Sequence, residues 1–322
     1  MYGSGKQSTR RSEIDPDVIM VLLDVVTNIA ENTSSRQPSS MVVDGCRWLP
    51  LSIASTSSLF FLFRASYLPH RTLLHVRTFT GRIAVGFDDV RSRDSLEEKD
   101  HQFMGEESTF EGSGGGEAVD ADTIGTSPTW VIDPLDGTTN FVHGYPLFCV
   151  SIALAVDGVP VIGVVYHPVS GDLYTACRGE GAFVNGVKVE VRPAQGLGDA
   201  LVVNNIGPAR DEAFIATTLG RLGELLRRNV QAIRMSGSAA LNMCHVACGK
   251  LDCYYEDGYG GPWDVAAGLV IVREAKGVVR DLRNSEFVLR PGKGRVVCGN
   301  ERVVNEVCAA LEAADNRGGS PS

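Results

Sequence analysis

The chain has 322 residues, 43% hydrophobic and 21% charged, which suits a soluble globular protein with room for one large domain or two packed ones. Its net charge of −9 leaves no broad basic stripe, which excludes a nucleic-acid partner held through its phosphates. An anionic substrate would need a cation supplied locally.

Met1–Arg11 is short, polar and basic with no apolar stretch behind it, so no secretory leader is expected. Ser12–Asn32 carries Ile19, Leu22, Leu23, Val26 and Ile29 at helical spacing, and residues 1–40 read as a helix followed by a Ser-rich break. Residues 41–93 set Ser clusters beside bare apolar runs with no sustained period of 2 or 3.6, so no regular element is assigned there. The longest such run, Leu49–Phe63, falls short of the roughly 20 apolar residues needed to span a bilayer, and no membrane partner is expected.

Order returns at Asp94. Gly112–Gly116 is a glycine-rich run, and strand-like segments follow at Trp130, Phe148–Asp157, Val159–Tyr166 and Asp172–Arg178. Asn185-Gly186 marks a hairpin turn before Val187–Val191, so the middle of the chain reads as an antiparallel sheet. Helices are expected over Asp211–Arg228, Gly237–Cys248, Trp263–Ala275 and Glu301–Ala314. Short strands are expected at Leu251–Tyr255, Val278–Asp281 and Arg295–Cys298. The alternation implies a layered α/β fold. The eight cysteines form no CxxC pair and most lie in apolar runs. They read as reduced thiols of a cytoplasmic compartment, with Cys244 and Cys248 as core thiols rather than a metal site.

Three acidic elements carry the chemistry. Trp130–Phe141, WVIDPLDGTTNF, runs an apolar strand into Asp133 and Asp136 and then into Gly137, Thr138 and Thr139. Gly105-Glu106-Glu107 precedes it, and Gly261–Gly268, GPWDVAAG, brings Asp264 to a helix start. Taken singly these are bland: a solvated acidic loop, an Asp-Gly turn, an N-cap. Together they are an oxygen-only ligand set, which suits a hard cation, Mg2+ before Zn2+.

In this order and at about these separations the motifs resemble those of the inositol monophosphatase family, GEE, D-P-[IL]-D-G-T-x-N-F and W-D-x-A-A-G. The likeness extends through GYPLFCVSIAL, GVVYHPVSGDLY, GEGAFVNG, RMSGSAA and DCYYEDGYGGPWD, covering roughly residues 100–313, and the GYGGPWD spacing looks most like plant-type members. The resemblance implies a sugar-phosphatase fold, α/β layers in the order αβαβα. It implies Mg2+-dependent, Li+-sensitive hydrolysis of small sugar or cyclitol monophosphates, myo-inositol 1-phosphate first, by a metal-activated water, in a cytoplasmic homodimer. Glu106, Asp133 and the Leu135 carbonyl would hold one Mg2+. Asp133, Asp136 and Asp264 would hold a second, and a weaker third ion would sit near Glu106. Thr138 and Glu106 would be the catalytic residues, with the phosphate at the helix N-terminus entered at Gly137 and Thr138. Gly237, Ser238, Ala239 and Glu256 match positions that contact substrate hydroxyls. On this basis residues 94–195 form a metal-binding subdomain, 196–315 a substrate subdomain and 316–322 a disordered tail.

Two departures stand out. The family's D-[LM]-V-T-x-x-D element, whose final Asp helps activate water, has no counterpart; Asp88 and Asp89 lie too near Glu106 and in a different context. A genuine replacement and translated non-coding or out-of-frame sequence both account for 41–93, and the abrupt return of family pattern near Asp100 favours the second. A catalytically impaired homologue that binds metal, phosphate or a partner is therefore the alternative to the enzyme. The second departure is Lys276, where the family carries Gly, at the end of a predicted helix.

Overall fold

The computed structural model of this protein describes residues 41–43, 46–48, 58–63, 72–79, 82–89, 102–105, 124 and 127–318. The helix expected within Ser12–Asn32 and the pair Glu106-Glu107 lie outside the described residues. Contacts divide the chain into two units, one including 47–94 and the other 41–46 with 95–322.

The tract that carries no period in sequence nonetheless contains strands: β1 (Met41–Val43), β2 (Cys46–Trp48), β3 (Ser58–Phe63), β4 (Thr72–Phe79) and β5 (Arg82–Asp89). β3, β4 and β5 form an antiparallel meander, with Leu62 opposite Leu73 and Thr78 opposite Ile83. Val, Ile, Thr and Phe suit strands whether or not they alternate with polar residues, which is why a period search passes over them.

The second unit holds the layered fold. β6 (Gln102–Gly105), β7 (Thr129–Asp136), α1 (Thr138–Val142), β8 (Cys149–Val156), β9 (Val159–His167), β10 (Asp172–Cys177), β11 (Gly181–Val184) and β12 (Val187–Val189) come first. Their strands form one seven-stranded sheet in the order β12-β11-β10-β9-β8-β7-β6. Neighbours are antiparallel, as the hairpin signals imply, except for the parallel pair β6–β7. Asn185 and Gly186, both at positive φ, make the expected turn between β11 and β12.

β13 (Leu201–Asn205), α2 (Glu212–Arg227), β14 (Ala232–Arg234), α3 (Ala239–Ala247), β15 (Cys253–Tyr259), α4 (Pro262–Glu274), β16 (Val278–Arg280), β17 (Gly294–Gly299) and α5 (Glu301–Gly318) follow. A second, mixed sheet has the order β14-β13-β15-β17-β16. α3 and α4 fill the space between the two sheets. α4 is apolar on nearly every side, from Trp263 through Val272, which a helix can be only when neighbours cover it all round. α2 and α5 cover the far face of the five-stranded sheet, where Leu225, Val297, Val303, Val307 and Leu311 form a separate cluster. Each fully buried Leu or Val contributes on the order of 2 kcal/mol.

Local signals set the element ends. Asp211 caps α2 by accepting from Phe214 N at 3.0 Å. Two element ends at the C-terminal side are set by contacts that the sequence does not show. Gly261 is the N-cap of α4 and Pro262 its first residue, so Asp264 sits two residues further in, its carboxylate reaching back to the N–H groups of Gly260 and Gly261. The tail expected to be disordered from residue 316 instead continues α5 through Gly318, where Arg317 pairs with Glu224 on α2. Arg221 similarly ties α2 to Asp257 and Asp315, so the charged helix face is fastened rather than loose.

Lys276 follows α4 at φ +66°, a left-handed conformation that costs a residue with a Cβ roughly 1 kcal/mol, while Gly277 N closes the helix onto Val272 O. Lys276→Gly is therefore expected to raise unfolding stability by about 0.5–1 kcal/mol in denaturant titration, with activity unchanged. A loss of stability would show that the Lys276 ion pair with Glu190 outweighs the backbone strain.

Candidate active site

The site begins with an irregularity in β7. Asp133 pairs with Ser151 of β8, but Asp136 pairs with Cys149, so three steps on one strand oppose two on the other. In a regular strand residues three apart face opposite sides; the extra residue of this bulge brings Asp133 and Asp136 to the same side. Pro134 suits the bulge because it has no N–H to offer the ladder. Leu135 N turns inward and donates to Asp133 Oδ1 at 2.9 Å.

The chain then turns at Gly137, φ +89°, where a Cβ would stand 2.8 Å from Leu147 O, so only glycine fits. α1 is a single turn of five residues. Its dipole is correspondingly small, and the helix-terminus contribution expected for phosphate reduces to the N–H groups of that turn. Thr138 Oγ1 donates to Leu135 O at 3.0 Å. A carbonyl has two lone pairs, so this bond leaves Leu135 O able to accept from or ligate one further group.

The second acidic element arrives on α4, which Ser151 Oγ anchors to β8 by donating to Trp263 O at 3.1 Å. Asp133, Asp136 and Asp264 thereby each present a carboxylate oxygen within 4.8 Å of the others. Asp133 is 2% exposed and Asp136 7%. Asp136 Oδ2 accepts from Ser238 Oγ at 2.5 Å, from Ala240 N at 2.8 Å in the first turn of α3, and from the Cys149 thiol at 3.6 Å. Burial nevertheless holds the Asp136 carboxyl above its usual range against those donors. Asp264 is pushed up to about 8, by burial first and then by the Asp136 charge. Carboxylates this close ionise together only when a cation neutralises them. The donor set is oxygen-only and compact, so a hard divalent cation fits it.

Near this cluster lies Glu256 of β15, 7% exposed. Its Oε2 accepts from Asn205 Nδ2 at 3.0 Å and from the Tyr254 hydroxyl. Burial raises its carboxyl, and the nearby Asp136 adds to that. Gly237 and Ala239 flank Ser238, which caps α3 and is fully buried with its hydroxyl on Asp136. The Ser238 side chain is therefore a partner of a carboxylate, and a substrate hydroxyl can meet only the backbone at this position.

The structure thus assembles Asp133, Leu135, Asp136, Gly137, Thr138 and Asp264, with Ser238 against Asp136. Glu106 lies outside the described residues; Gly105, which precedes it in sequence, pairs with Ile132, immediately before Asp133. Cys149, Asn205, Tyr254 and the Ala240 N–H were not singled out from sequence. Cys149 is hidden in an apolar run, and a backbone N–H has no sequence signal at all. The thiols of Cys149, Cys177, Cys244, Cys253, Cys298 and Cys308 are all buried and unbridged, and that of Cys248 is half-buried and unbridged. Among the described residues no helix is long and apolar enough to cross a membrane.

Asp264→Asn is expected to leave the metal-free protein at least as heat-stable as the unsubstituted chain near neutral pH, because it removes a carboxyl that folding without a cation must protonate at a cost. It should also abolish the rise in melting temperature on adding Mg2+, which at a hundredfold excess over Kd corresponds to about 2.7 kcal/mol. An undiminished Mg2+-dependent shift in the variant would remove Asp264 from the ligand set.

Comparison with known proteins identifies a family. Residues 93–315 match the sequence profile of the inositol monophosphatase family. The chain is 51% identical over 215 residues to inositol monophosphatase 2 of Solanum lycopersicum, covering 67% of this chain and 78% of that protein. It is 41% identical over 214 residues to human inositol monophosphatase 1, covering 66% and 74%. Among solved structures it is similar to the inositol monophosphatase from Anabaena (Nostoc) sp. PCC 7120, with TM-score 0.57 and 33% identity over 67% of this chain and 80% of that one. The SuhB protein of Bartonella henselae aligns with TM-score 0.57 and 34% identity, covering 67% and 77%.

Proposed function

This chain belongs to the inositol monophosphatase family and is a phosphatase, and from that premise we propose that it hydrolyses small sugar or cyclitol monophosphates in a Mg2+-dependent reaction, myo-inositol 1-phosphate first. One observation carries the reading: carboxylates from two motifs far apart in sequence converge within 4.8 Å at the end of β7. Asp133, Asp136, Asp264 and the Leu135 carbonyl are the groups proposed to hold Mg2+, with Glu106 as the further ligand that the resemblance supplies. When bound there, such a cation would supply charge neutralisation for the ester phosphate, activation of water and stabilisation of charge on the leaving oxygen.

The remaining roles belong to the chain. Thr138 commits its hydroxyl proton to Leu135 O, so its oxygen is left to accept from a water and point that water's lone pair outward. The N–H groups after Gly137 donate to phosphate oxygens. Glu256 accepts hydroxyl protons of the leaving group, and the backbone of Gly237, Ser238 and Ala239 borders the same hydroxyls. No nucleophilic side chain is required, since water attacks directly. Inhibition by Li+, a homodimer and a cytoplasmic setting complete the proposal on the strength of the family; the unbridged thiols suit a reducing compartment.

Phosphate release from myo-inositol 1-phosphate by this polypeptide tests the proposal. Turnover should require Mg2+, stop with EDTA and fall with Li+, and Asp133→Asn should lower kcat by at least about a thousandfold. A folded, Mg2+-binding chain with no turnover would support instead the catalytically impaired homologue, whose motive is the missing Asp element. Substantial Mg2+-dependent turnover by Asp133→Asn would overturn the metal assignment.

A further inference from the structure

Asn205 closes β13 directly beside Glu256 of the parallel neighbour β15, so the two side chains share a face of the sheet. Its amide is used from both ends. Nδ2 donates to Glu256 Oε2 at 3.0 Å, while Oδ1 accepts from Gly237 N at 2.9 Å and from Asn242 Nδ2 at 3.1 Å. Gly237 is held on its other side as well: at φ +85°, a Cβ there would lie 2.9 Å from the Asn140 amide, and Asn140 Nδ2 donates to Ser236 O at 2.7 Å. The Tyr254 hydroxyl takes the same Glu256 oxygen that Asn205 takes, and among the described residues nothing occupies Oε1. One amide therefore joins the Glu256 carboxylate to the Gly237 backbone.

We infer that Asn205 is a specificity-determining positioning residue: by fixing Glu256 Oε1 relative to the Gly237 backbone, it makes the site select phosphate esters of vicinal polyols over esters without neighbouring hydroxyls. The inference rests on the proposed role of Glu256 as a hydroxyl acceptor. The amide serves both sides because its donor and its acceptor are separate atoms. Aspartate would turn a second carboxylate on Glu256 and keep no donor for it, and threonine, though its hydroxyl both donates and accepts, has one oxygen to stand where Asn205 has two separate atoms. Neither change touches the carboxylates proposed to hold the metal, so the chemical step should survive while recognition of the leaving group fails.

Steady-state kinetics with saturating Mg2+ on myo-inositol 1-phosphate and on p-nitrophenyl phosphate, for the unsubstituted chain, Asn205→Asp and Asn205→Thr, test this. Asn205→Asp should raise KM for the inositol ester about tenfold with kcat within about twofold, and leave KM for the aryl ester unchanged. Asn205→Thr should fall between. Melting curves guard against misfolding of the Asp variant, and if it does not fold, the Thr variant alone decides by the same split. Equal change with both substrates, or a fall in kcat alone, would overturn the role of Asn205 while leaving the phosphatase reading intact. An unsubstituted chain that prefers the aryl ester, or turns over neither, would overturn the reading of Glu256 and this inference together.

Discussion

Everything at this site follows from one constraint: two aspartates three residues apart must face the same way at a buried strand end. A regular strand forbids it, and the bulge in β7 around Pro134 and Leu135 allows it. The cost is electrostatic. Two carboxylates, joined by Asp264 from α4, are drawn out of water within 4.8 Å of one another. The same closeness that makes the cluster costly without a cation would favour binding one.

The surrounding fold can be understood as support for that cluster. Asp136 is fixed by three donors on a single oxygen, from Ser238, Ala240 N and Cys149, which come from α3 and β8. α3 and α4 lie packed between the two sheets, so the residues at their N-terminal ends have little freedom to move. Asp264 is steadied by two backbone N–H groups before its own helix, and α4 is tied to β8 through Ser151. Stable layers thus hold a local arrangement that would not persist alone.

Much of this was legible in the residues. Strands β8 to β10 and helices α2 to α5 announce themselves by period and by Asp, Ser, Pro and Gly at their ends, and the turn at Asn185-Gly186 by its chemistry. The acidic motifs named the cluster, but only the resemblance joined GPWDVAAG to DPLDG. Spacing alone would put Asp133 and Asp136 on opposite faces, because a bulge leaves no period to read. The network of Asn205, Tyr254 and Glu256 escaped for another reason: it depends on parallel pairing of β13 with β15, a long-range register. Ser238 was legible as a site residue but not as a buried partner of Asp136, since its direction is set by α3. The extension of α5 to Gly318 escaped because Arg317 gains its partner only once α2 is packed alongside.

The central claim is that Asp133, Asp136 and Asp264 share a divalent cation. Anomalous diffraction from crystals soaked in Mn2+, a close substitute for Mg2+ at oxygen sites, addresses it without reference to turnover. The account predicts an anomalous peak about 2.0–2.3 Å from a carboxylate oxygen of each of the three residues. Crystals of a folded protein with no peak there, or with peaks only elsewhere, would contradict it.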